Sequence, residues 1–497
     1  MVNKIIYLVL FCVLMPLGIK AQNTFEEFKK KLEGDYASFR DTRNKEFEDF
    51  RNKINEEYAS LLKKTWKEFN AFQGIPVPDE DKPVPPVVYL DEDKDKPIKD
   101  TPKPFDEIIP IVKPEPQPEP VVPIEETPKP PVESYYAFKF FNTSLKVRLE
   151  DKHRFTLRSC NENEIATIWN KLSGTAYNNV INDCLGIRSQ NRLCDWAYLL
   201  MLRDLSYSFF KSGSNEAVLF TAFLYCQSGY KMRLASAGNR LYLLYASNHE
   251  IYDKNYWRID GESFYPLDCD QKQLRICQVA FPKETPLSLQ IPTEPLLAVR
   301  ISAQRSLQSK RYPEMIVTVN TNENLVKFFD TYPASMINED FGTRWAMYAN
   351  TPLSKQAKNS LYPSLKKAIA GKTQSEAVNR ILNFVQTAFV YEYDDKVWGG
   401  DRAFFADETL YYPYCDCEDR SILFSRLVRD LLGLEVVLIY YPGHLATAVQ
   451  FTENITGDYV AMNGKRYVIC DPTYIGAPVG ATMPKMDNAK AKIILLE

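Results

Sequence analysis

Three residues near the end of the chain have the types and the order that nucleophilic chemistry needs: Cys417, His444 and Asp471. A cysteine thiol attacks acyl carbons when a histidine takes its proton and a carboxylate orients the imidazole ring. The chain has three histidines, His153, His249 and His444, and the last one follows Cys417 in the order of such a triad. We therefore predict a catalytic site with Cys417 as nucleophile, His444 as base and Asp471 as orienting carboxylate.

The stretch YYPYCDCEDRSILFSRLV predicts a helix that would carry Cys417 in its first turn. Its apolar residues recur with a helical period, Asp416 is a favourable N-cap, and Asp419 has the capping-box position. Gly433 is the expected end of the helix. Free backbone N–H groups and the helix dipole stabilise a thiolate at such a start. The two residues after Cys417 are acidic and act against the thiolate, so a cationic histidine is also required.

Three strands are predicted after this helix, and the other two triad residues lie at their ends. EVVLIYY is typical of a buried strand, PGH of a turn, and LATAVQF of a second strand. GKRYVICDPTY predicts a third strand that ends at Asp471 and Pro472. His444 therefore opens the second strand and Asp471 closes the third. The fold class predicted by this pattern of helices and strands is α+β.

Each residue of the predicted site also has an interpretation without chemistry. Cys417 could be a packed thiol or half of a disulfide, His444 a turn residue, and Asp471 a turn starter before proline. Cys415 could join Cys417 and His444 as a metal ligand, but the spacing is not the C-x₂-C of zinc sites and no second pair follows. We therefore predict no metal and no cofactor. Cys415 could instead form a disulfide with Cys470, because their neighbours are expected to converge.

The motifs CDCEDRS, YPGHLATAV and YVICDPTY together resemble those of the bacterial transglutaminase-like superfamily. The resemblance covers roughly the last hundred and twenty residues and extends more loosely from about Leu296. It implies a papain-like core in which Cys417, His444 and Asp471 form the triad. It also implies an acyl-enzyme whose acyl group passes to an amine or to water. Cys415 replaces the small residue that precedes the nucleophile motif in the family, and its role stays open.

An earlier part of the chain resembles the region around the predicted nucleophile. SNEAVLFTAFLYCQSGYKMRL aligns without a gap on EDRSILFSRLVRDLLGLEVVL. This alignment places Gly213 on Cys417 and Arg240 on His444, so a first copy would be chemically inactive. Two unrelated helix–glycine–strand units would also look alike, and this alternative stays open.

The N-terminal stretch MVNKIIYLVLFCVLMPLGIKAQ is typical of a secretory signal peptide. It combines a positive start, an apolar run shorter than a bilayer span and a small residue for cleavage. Its removal leaves nine of the 10 cysteines, so at least one thiol stays unpaired in an oxidising compartment. We predict an exported protein, periplasmic or at the cell surface, with no membrane span in the mature chain.

Residues 24–73 carry a repeat of apolar pairs, and residues 75–133 are rich in proline. The pairs recur every eleven residues: Phe25/Phe28, Tyr36/Phe39, Phe47/Phe50, Tyr58/Leu61 and Phe69/Phe72. Because eleven residues are nearly three helical turns, the pairs predict one apolar stripe that self-associates or docks on a partner. The next segment holds 17 of the 32 prolines. It predicts a disordered linker that could span more than ~100 Å at about 3.1 Å per residue.

Length and charge limit the remaining possibilities. A chain of 497 residues can hold two or three domains, and a net charge of -3 offers no basic surface for nucleic acid. The predicted segments are 1–21 signal peptide, 22–74 helix, 75–133 linker, 134–296 α+β domain, and 297–497 transglutaminase-like domain. The predicted function is an exported cysteine enzyme that acts on amide bonds of a protein or peptide, with the cell envelope as one candidate source. The alternative is a non-catalytic exported scaffold that uses the same folds for binding.

Overall fold

The computed structural model describes residues 2–76, 83–90, 98–121, 124, 134–252 and 254–497. The chain is α+β, as predicted. The α-helices are α1 Val2–Leu62, α2 Glu162–Leu172, α3 Asn178–Gln190, α4 Asp195–Phe209, α5 Asn215–Gln227, α6 Glu323–Phe329, α7 Gly342–Asn350, α8 Lys355–Ile369, α9 Gln374–Ala388, α10 Asp394–Val397, α11 Ala406–Tyr411 and α12 Cys417–Leu432. Short 3₁₀ helices cover Asp151–His153, Thr175–Tyr177 and Asn488–Lys490.

The strands fall into a six-stranded sheet, a seven-stranded sheet and four two-stranded pairs. They are β1 Trp66–Asn70, β2 Thr101–Pro102, β3 Glu107–Ile109, β4 Tyr135–Phe140, β5 Thr143–Arg148, β6 Met232–Ala237, β7 Arg240–Ala246, β8 Glu250–Ile251, β9 Trp257–Ile259, β10 Glu262–Pro266, β11 Gln273–Cys277, β12 Arg305–Gln308, β13 Ile316–Val319, β14 Ser335–Met336, β15 Val390–Tyr391, β16 Tyr414–Cys415, β17 Glu435–Tyr441, β18 His444–Gln450, β19 Asp458–Met462, β20 Lys465–Cys470 and β21 Lys492–Leu495.

The two large sheets repeat one arrangement of elements. In each, a helix is followed by five antiparallel strands whose spatial order is fifth, first, second, fourth, third. After α5 this order is β11-β6-β7-β10-β9, and after α12 it is β21-β17-β18-β20-β19. Chance similarity between two helix–glycine–strand units does not account for a shared order of five strands. The topology therefore supports the internal repeat inferred from the aligned segments.

The first helix is shorter than the repeat of apolar pairs predicts. It ends at Leu62, and the fifth pair lies elsewhere: Phe69 is in β1 and Phe72 follows that strand. The prediction of one helix through residue 74 is wrong at this end. Strand β1 pairs antiparallel with β11, and Phe69 packs on the apolar cluster of that sheet. Sheet pairing therefore outweighs the continuation of the helical pattern.

We call residues 134–296 the first half of the protein and residues 297–497 the second half. The C-terminal end of α1 packs on the first half. Tyr58 and Leu62 are buried, and Asn55 exchanges hydrogen bonds with Gln227 at 3.1 Å while it accepts one from the Trp169 indole at 3.0 Å. Further toward the N-terminus the stripe is uncovered, with these side chains exposed: Leu32, Tyr36, Phe39 and Phe50. The predicted signal peptide is residues 1–21, whose side chains lie outside the part of the chain that the structure describes. Among the residues searched, the structure contains no helix long and apolar enough to cross a membrane.

The proline-rich segment is not a free spacer where the structure describes it. Strands β2 and β3 pair parallel with β19 and β21, so they cover the two edges of the seven-stranded sheet. Further along, the segment reaches the first half, where Gln117 donates to the carbonyl of Leu193 and the carbonyl of Pro118 accepts from Arg188. The predicted separation of more than ~100 Å is therefore wrong. An extended chain with few N–H groups suits a sheet edge, which needs only occasional pairing.

We predict that Ile109→Ala lowers the free energy of unfolding by about 2–5 kcal/mol. Ile109 is 1% exposed and pairs with Ile494, which is fully buried, so its removal leaves a cavity under the sheet edge. Denaturation in urea measures the change. Ile111→Ala is the matched control, because Ile111 lies in the same segment with 40% of its surface exposed. Equal stability of both variants and the wild type would show that the segment does not dock in solution.

Candidate active site

The helix predicted to carry Cys417 forms with the predicted caps. Asp416 is the N-cap, and its Oδ1 accepts hydrogen bonds from the N–H groups of Glu418 at 3.1 Å and Asp419 at 3.4 Å. The Asp419 carboxylate in turn accepts a hydrogen bond from the Asp416 N–H at 3.2 Å, which completes the capping box. The helix ends at Gly433, whose φ of 65° is the left-handed conformation that glycine adopts readily. Cys417 is therefore the first residue of α12, as predicted.

The predicted strands also form, and they bring His444 to the start of β18. Tyr441 and His444 are directly paired across a two-residue turn, in which Pro442 precedes Gly443 at a φ of 73°. Strand β20 ends one residue before Asp471, and β18 pairs with it. An unpredicted strand, β19, lies between them in sequence and forms a hairpin with β20.

His444 and Asp471 form a buried hydrogen-bonded pair, with Nε2 and Oδ2 separated by 2.9 Å. The other oxygen of Asp471 accepts from the N–H groups of Thr473 at 2.8 Å and Tyr474 at 3.2 Å. This turn fixes the direction of the carboxylate. The bond fits a neutral imidazole with its proton on Nε2 and with Nδ1 as an acceptor, because an ionised carboxylate only accepts. Nδ1 is buried and has no hydrogen-bond partner among the described residues.

The first turn of α12 packs against the start of β18. The Ser421 hydroxyl donates to the Leu445 carbonyl at 2.8 Å, and the Leu445 N–H lies near enough to Cys417 to lower the pKa of its thiol. The thiol is near enough to Asp471 for that carboxylate to raise the pKa of Cys417. The structure thus gathers the three predicted residues where α12, β18 and β20 meet. They are 7%, 1% and 2% exposed for Cys417, His444 and Asp471 respectively.

The surroundings of Cys417 favour the neutral thiol. Burial raises the pKa of Cys417 well above its usual value, and the charges of Asp416 and Glu418 raise it further. The Leu445 N–H lowers the pKa, but it does not compensate for burial. A thiolate preformed by the helix start, which the sequence suggests, is therefore not what the resting structure favours. A neutral thiol needs its proton removed during a nucleophilic reaction, and Nδ1 of His444 is the buried nitrogen of the site without a partner among the described residues.

Gln386 and Arg420 hold the elements of the site together, and sequence reasoning missed both. The Gln386 amide donates to the Asp471 carbonyl at 3.0 Å and to the Ala477 carbonyl at 3.1 Å. Arg420 of α12 donates to the carbonyls of Gln386 at 3.1 Å and Phe389 at 2.9 Å, which end α9. The two side chains link the nucleophile helix to the turn that directs Asp471. The sequence offered one signal for Gln386: it is a polar residue on the otherwise apolar face of α9.

Tyr391 is a third residue that the sequence did not single out. Its backbone pairs with Cys415 in the short β15–β16 ladder. Its hydroxyl is buried and has no hydrogen-bond partner among the described residues. Burial, and then the proximity of Cys417, raise the pKa of Tyr391, so the hydroxyl stays a protonated donor beside the nucleophile.

A cluster of carboxylates lies on the other side of the first turn. Asp394, Asp401 and Glu418 have oxygens within 4.8 Å of one another. Arg344 forms ion pairs with Asp401 and with Glu418, the latter at 3.2 Å, and the Trp345 indole donates to Glu418 at 2.7 Å. Burial, and then Glu418, raise the pKa of Asp394 to about 8. The guanidinium of Arg344 therefore offsets part of the negative charge of the cluster, and the raised pKa of Asp394 favours its protonated form.

The alternatives considered for Cys415 do not form in the described part of the chain. All nine cysteines after Cys12 are free, so the disulfide between Cys415 and Cys470 is not present. Cys415, Cys417 and His444 are not gathered at ligand distances among the described residues. Cys415 is buried, and its thiol donates to the carbonyl of Val390 at 3.8 Å. Its observed contact is with the β15 strand that carries Tyr391.

Comparison with known proteins gives no relative: no family model, no curated protein and no solved structure matches the chain.

We predict that Asp394→Asn flattens the pH dependence of stability. A carboxyl group with a pKa of about 8 in the folded chain and 3.8 unfolded binds more protons when folded. The free energy of unfolding therefore falls as pH rises from about 4 to about 8, by at most about 1.4 kcal/mol per pH unit for one group. Asparagine removes the titrating group. It keeps an oxygen that can accept the hydrogen bond that the Arg402 backbone N–H donates to Asp394 at 2.7 Å.

Urea unfolding at pH 5 and pH 8 measures this difference. The variant is expected to lose less stability than the wild type between the two conditions. Asp395→Asn is the control, because Asp395 is the exposed neighbour in the same helix. An identical pH dependence in Asp394→Asn and the wild type would show that Asp394 is not protonated in the folded chain at neutral pH.

Proposed function

We propose that this protein is a cysteine enzyme that opens amide bonds in a protein or peptide and transfers the acyl group to an amine or to water. The observation that carries the proposal is the buried His444–Asp471 pair at 2.9 Å, on strands against which the helix that begins at Cys417 packs. The motifs around these residues resemble those of the transglutaminase-like superfamily. A papain-like core for the second half is part of the same proposal.

The first chemical step forms an acyl-enzyme. His444 Nδ1 takes the thiol proton while the sulfur of Cys417 attacks the carbonyl carbon of the amide. The new negative charge lies on the carbonyl oxygen, for which the Cys417 N–H and the Tyr391 hydroxyl are the candidate donors. The protonated imidazole then donates to the leaving nitrogen, and the C–N bond breaks. Asp471 keeps Nε2 protonated and stabilises the imidazolium throughout.

The second step releases the acyl group and restores the thiol. An amine or a water molecule attacks the thioester, and His444 takes the proton of the incoming nucleophile. The C–S bond breaks, and the imidazole returns the proton to the sulfur. The same residues therefore serve crosslinking, in which an amine accepts the acyl group, and peptide hydrolysis or deamidation, in which water accepts it. Export to the periplasm or the cell surface, and an envelope substrate, are part of this proposal.

We predict that iodoacetamide alkylates Cys417 by a reaction that depends on His444. Because the resting thiol is neutral, His444→Ala should slow labelling at pH 7 by about 100-fold, the range of a lost general base. Asp471→Asn should slow it as well, since the imidazole is no longer held in the reactive tautomer. Mass spectrometry of the labelled peptide measures the rate. Cys415→Ala is the control and should label at the wild-type rate, because Cys415 contacts β15 rather than the pair.

Equal labelling of Cys417 in the wild type and in His444→Ala would remove the support for a catalytic pair. The non-catalytic scaffold would then be the better interpretation of the chain. Thermal melting of each variant separates a local effect on the thiol from a loss of the fold.

We predict that a primary amine diverts the product of a glutamine-containing peptide from the free acid to the amide. A thioester on Cys417 is common to both routes, so the ratio of amide to acid should rise with the amine concentration. Chromatography of the peptide with and without a biotinylated amine measures both products. Cys417→Ala should give neither product. Turnover that persists in Cys417→Ala would contradict the proposed nucleophile.

A further inference from the structure

The described part of the chain leaves a row of large apolar side chains on α1 uncovered. Leu32, Tyr36, Phe39 and Phe50 keep between 50% and 68% of their surface exposed. A single exposed apolar residue is ordinary, but several in one row mark a contact surface. We call the row within residues 29–50 the α1 stripe. At about 1.5 Å per residue it runs for roughly 33 Å along the helix.

The first half of the protein covers a different line of the same helix. Arg51 and Leu62 are buried where α1 packs on the first half. Because eleven residues complete three turns, these two residues share one line, which is turned by about 100° from the line of Phe50 and Leu61. Phe50 and Leu61 stay 50% and 45% exposed. The stripe is therefore open even where the helix is anchored.

The α1 stripe is narrow and repeats regularly. On a helix with three turns per eleven residues, Tyr36 and Phe39 lie about 33° to either side of the line through Leu32. Phe47 repeats the position of Tyr36, and Phe50 repeats that of Phe39. A helix that packs on a broad core needs an apolar face at least about 100° wide, whereas a narrower seam suits one neighbouring helix.

The two flanks of the stripe carry opposite charges. Lys29 and Arg40 lie on one flank, and Asp35 and Glu46 lie on the other, each about 65° from the middle line and each exposed. In a parallel pair of identical helices opposite flanks meet, whereas in an antiparallel pair like flanks meet. A parallel pair therefore brings Asp35 of one copy opposite Arg40 of the other. An antiparallel pair would bring the two basic flanks together.

Arg43 is the charged residue on the middle line of the stripe, one repeat after Leu32. Its guanidinium lies 5.1 Å from the centre of the Phe47 ring, and it pairs with Glu46 at 3.4 Å. The charge therefore has partners within its own helix. A polar group at one seam position fixes the register of two helices, because a shift places it against an apolar side chain of the neighbour.

We propose that the α1 stripe pairs with the same stripe of a second copy in a parallel, in-register coil of two helices. The charge complementarity of the flanks selects this occupant and its direction. A membrane surface suits the stripe less, because helices that lie on membranes carry Lys and Arg on their polar face, and one flank here is acidic. The interface uses no residue of the candidate active site, so it is independent of the cysteine chemistry.

Sedimentation equilibrium of residues 22–497 in a reducing buffer tests the pairing. The chain should form a dimer with a dissociation constant of about 10 µM or lower. The double variant Tyr36→Glu with Phe39→Glu should raise this constant at least about 100-fold, because it places unpaired carboxylates in the seam. Ser38→Glu is the matched control and should leave the dimer unchanged, because Ser38 is exposed and faces away from the stripe.

A charge exchange on the flanks tests the direction of the pair. Arg40→Asp should weaken the dimer about fivefold, because it sets a carboxylate opposite Asp35 of the other copy. Adding Asp35→Arg to that variant should restore the wild-type affinity. In an antiparallel pair Arg40→Asp would instead tighten the dimer, because its new carboxylate would face a basic flank.

Four results would overturn the proposal: a monomer at 100 µM, an assembly larger than a dimer, a dimer that survives the two glutamates in the seam, or a dimer that Arg40→Asp tightens. A monomer that floats with vesicles of phosphatidylcholine and phosphatidylglycerol would assign the stripe to a lipid surface. Thermal melting of each variant checks that the globular part keeps its fold. None of these outcomes depends on whether Cys417 is a nucleophile.

Discussion

The contact between the first turn of α12 and the start of β18 sets the geometry on which the candidate site depends. The Ser421 hydroxyl donates to the carbonyl of Leu445, and the N–H of Leu445 lowers the pKa of Cys417. Two side chains of the helix therefore interact with one residue of the strand. A shift of β18 by one residue would turn His444 to the opposite face of the sheet, away from the helix. The hairpin turn at Gly443 and the pairing with β20 prevent that shift.

The carboxylates around Cys417 are costly, and the fold does not need them. Asp416 and Asp419 are buried, and burial raises the pKa of each well above its usual value. The corresponding helix of the first half has Ser214 as a neutral N-cap, which accepts from the Ala217 N–H at 3.2 Å. Matching the two N-caps places Asn215 on Cys417, so the alignment of Gly213 on Cys417 is wrong by two residues. The same topology therefore forms without buried acids at the helix start. Burial is the main reason that the pKa of Cys417 is raised, and the charges of Asp416 and Glu418 raise it further, so these acids act on the site.

The local parts of the site could be predicted from sequence, and the long-range parts could not. The caps at Asp416 and Gly433, the strand from Glu435, and the turn before His444 depend on neighbouring residues, and each was predicted correctly. Gln386 was missed because its partners are the carbonyls of Asp471 and Ala477, far along the chain. A partner far along the chain also explains why α1 ends at Leu62 and does not continue to residue 74. A pairing partner 200 residues away decides that Phe69 joins a strand, and no local pattern reports it.

The proline-rich segment shows why composition alone misjudges such a chain. Its residues bury no core of their own, which is why the sequence predicts disorder. The segment finds its partners in the rest of the protein. The Val84 N–H donates to the carbonyl of Gly443 at 2.8 Å, beside His444, and β3 pairs with the edge strand β21. A Cβ on Gly229 would overlap the carbonyl of Glu119, so the segment also passes closely over the helix–strand turn of the first half. A chain that is extended before it docks loses little conformational entropy on docking. Proline therefore favours this segment as a strap across both halves, and the segment contacts the turn that positions His444.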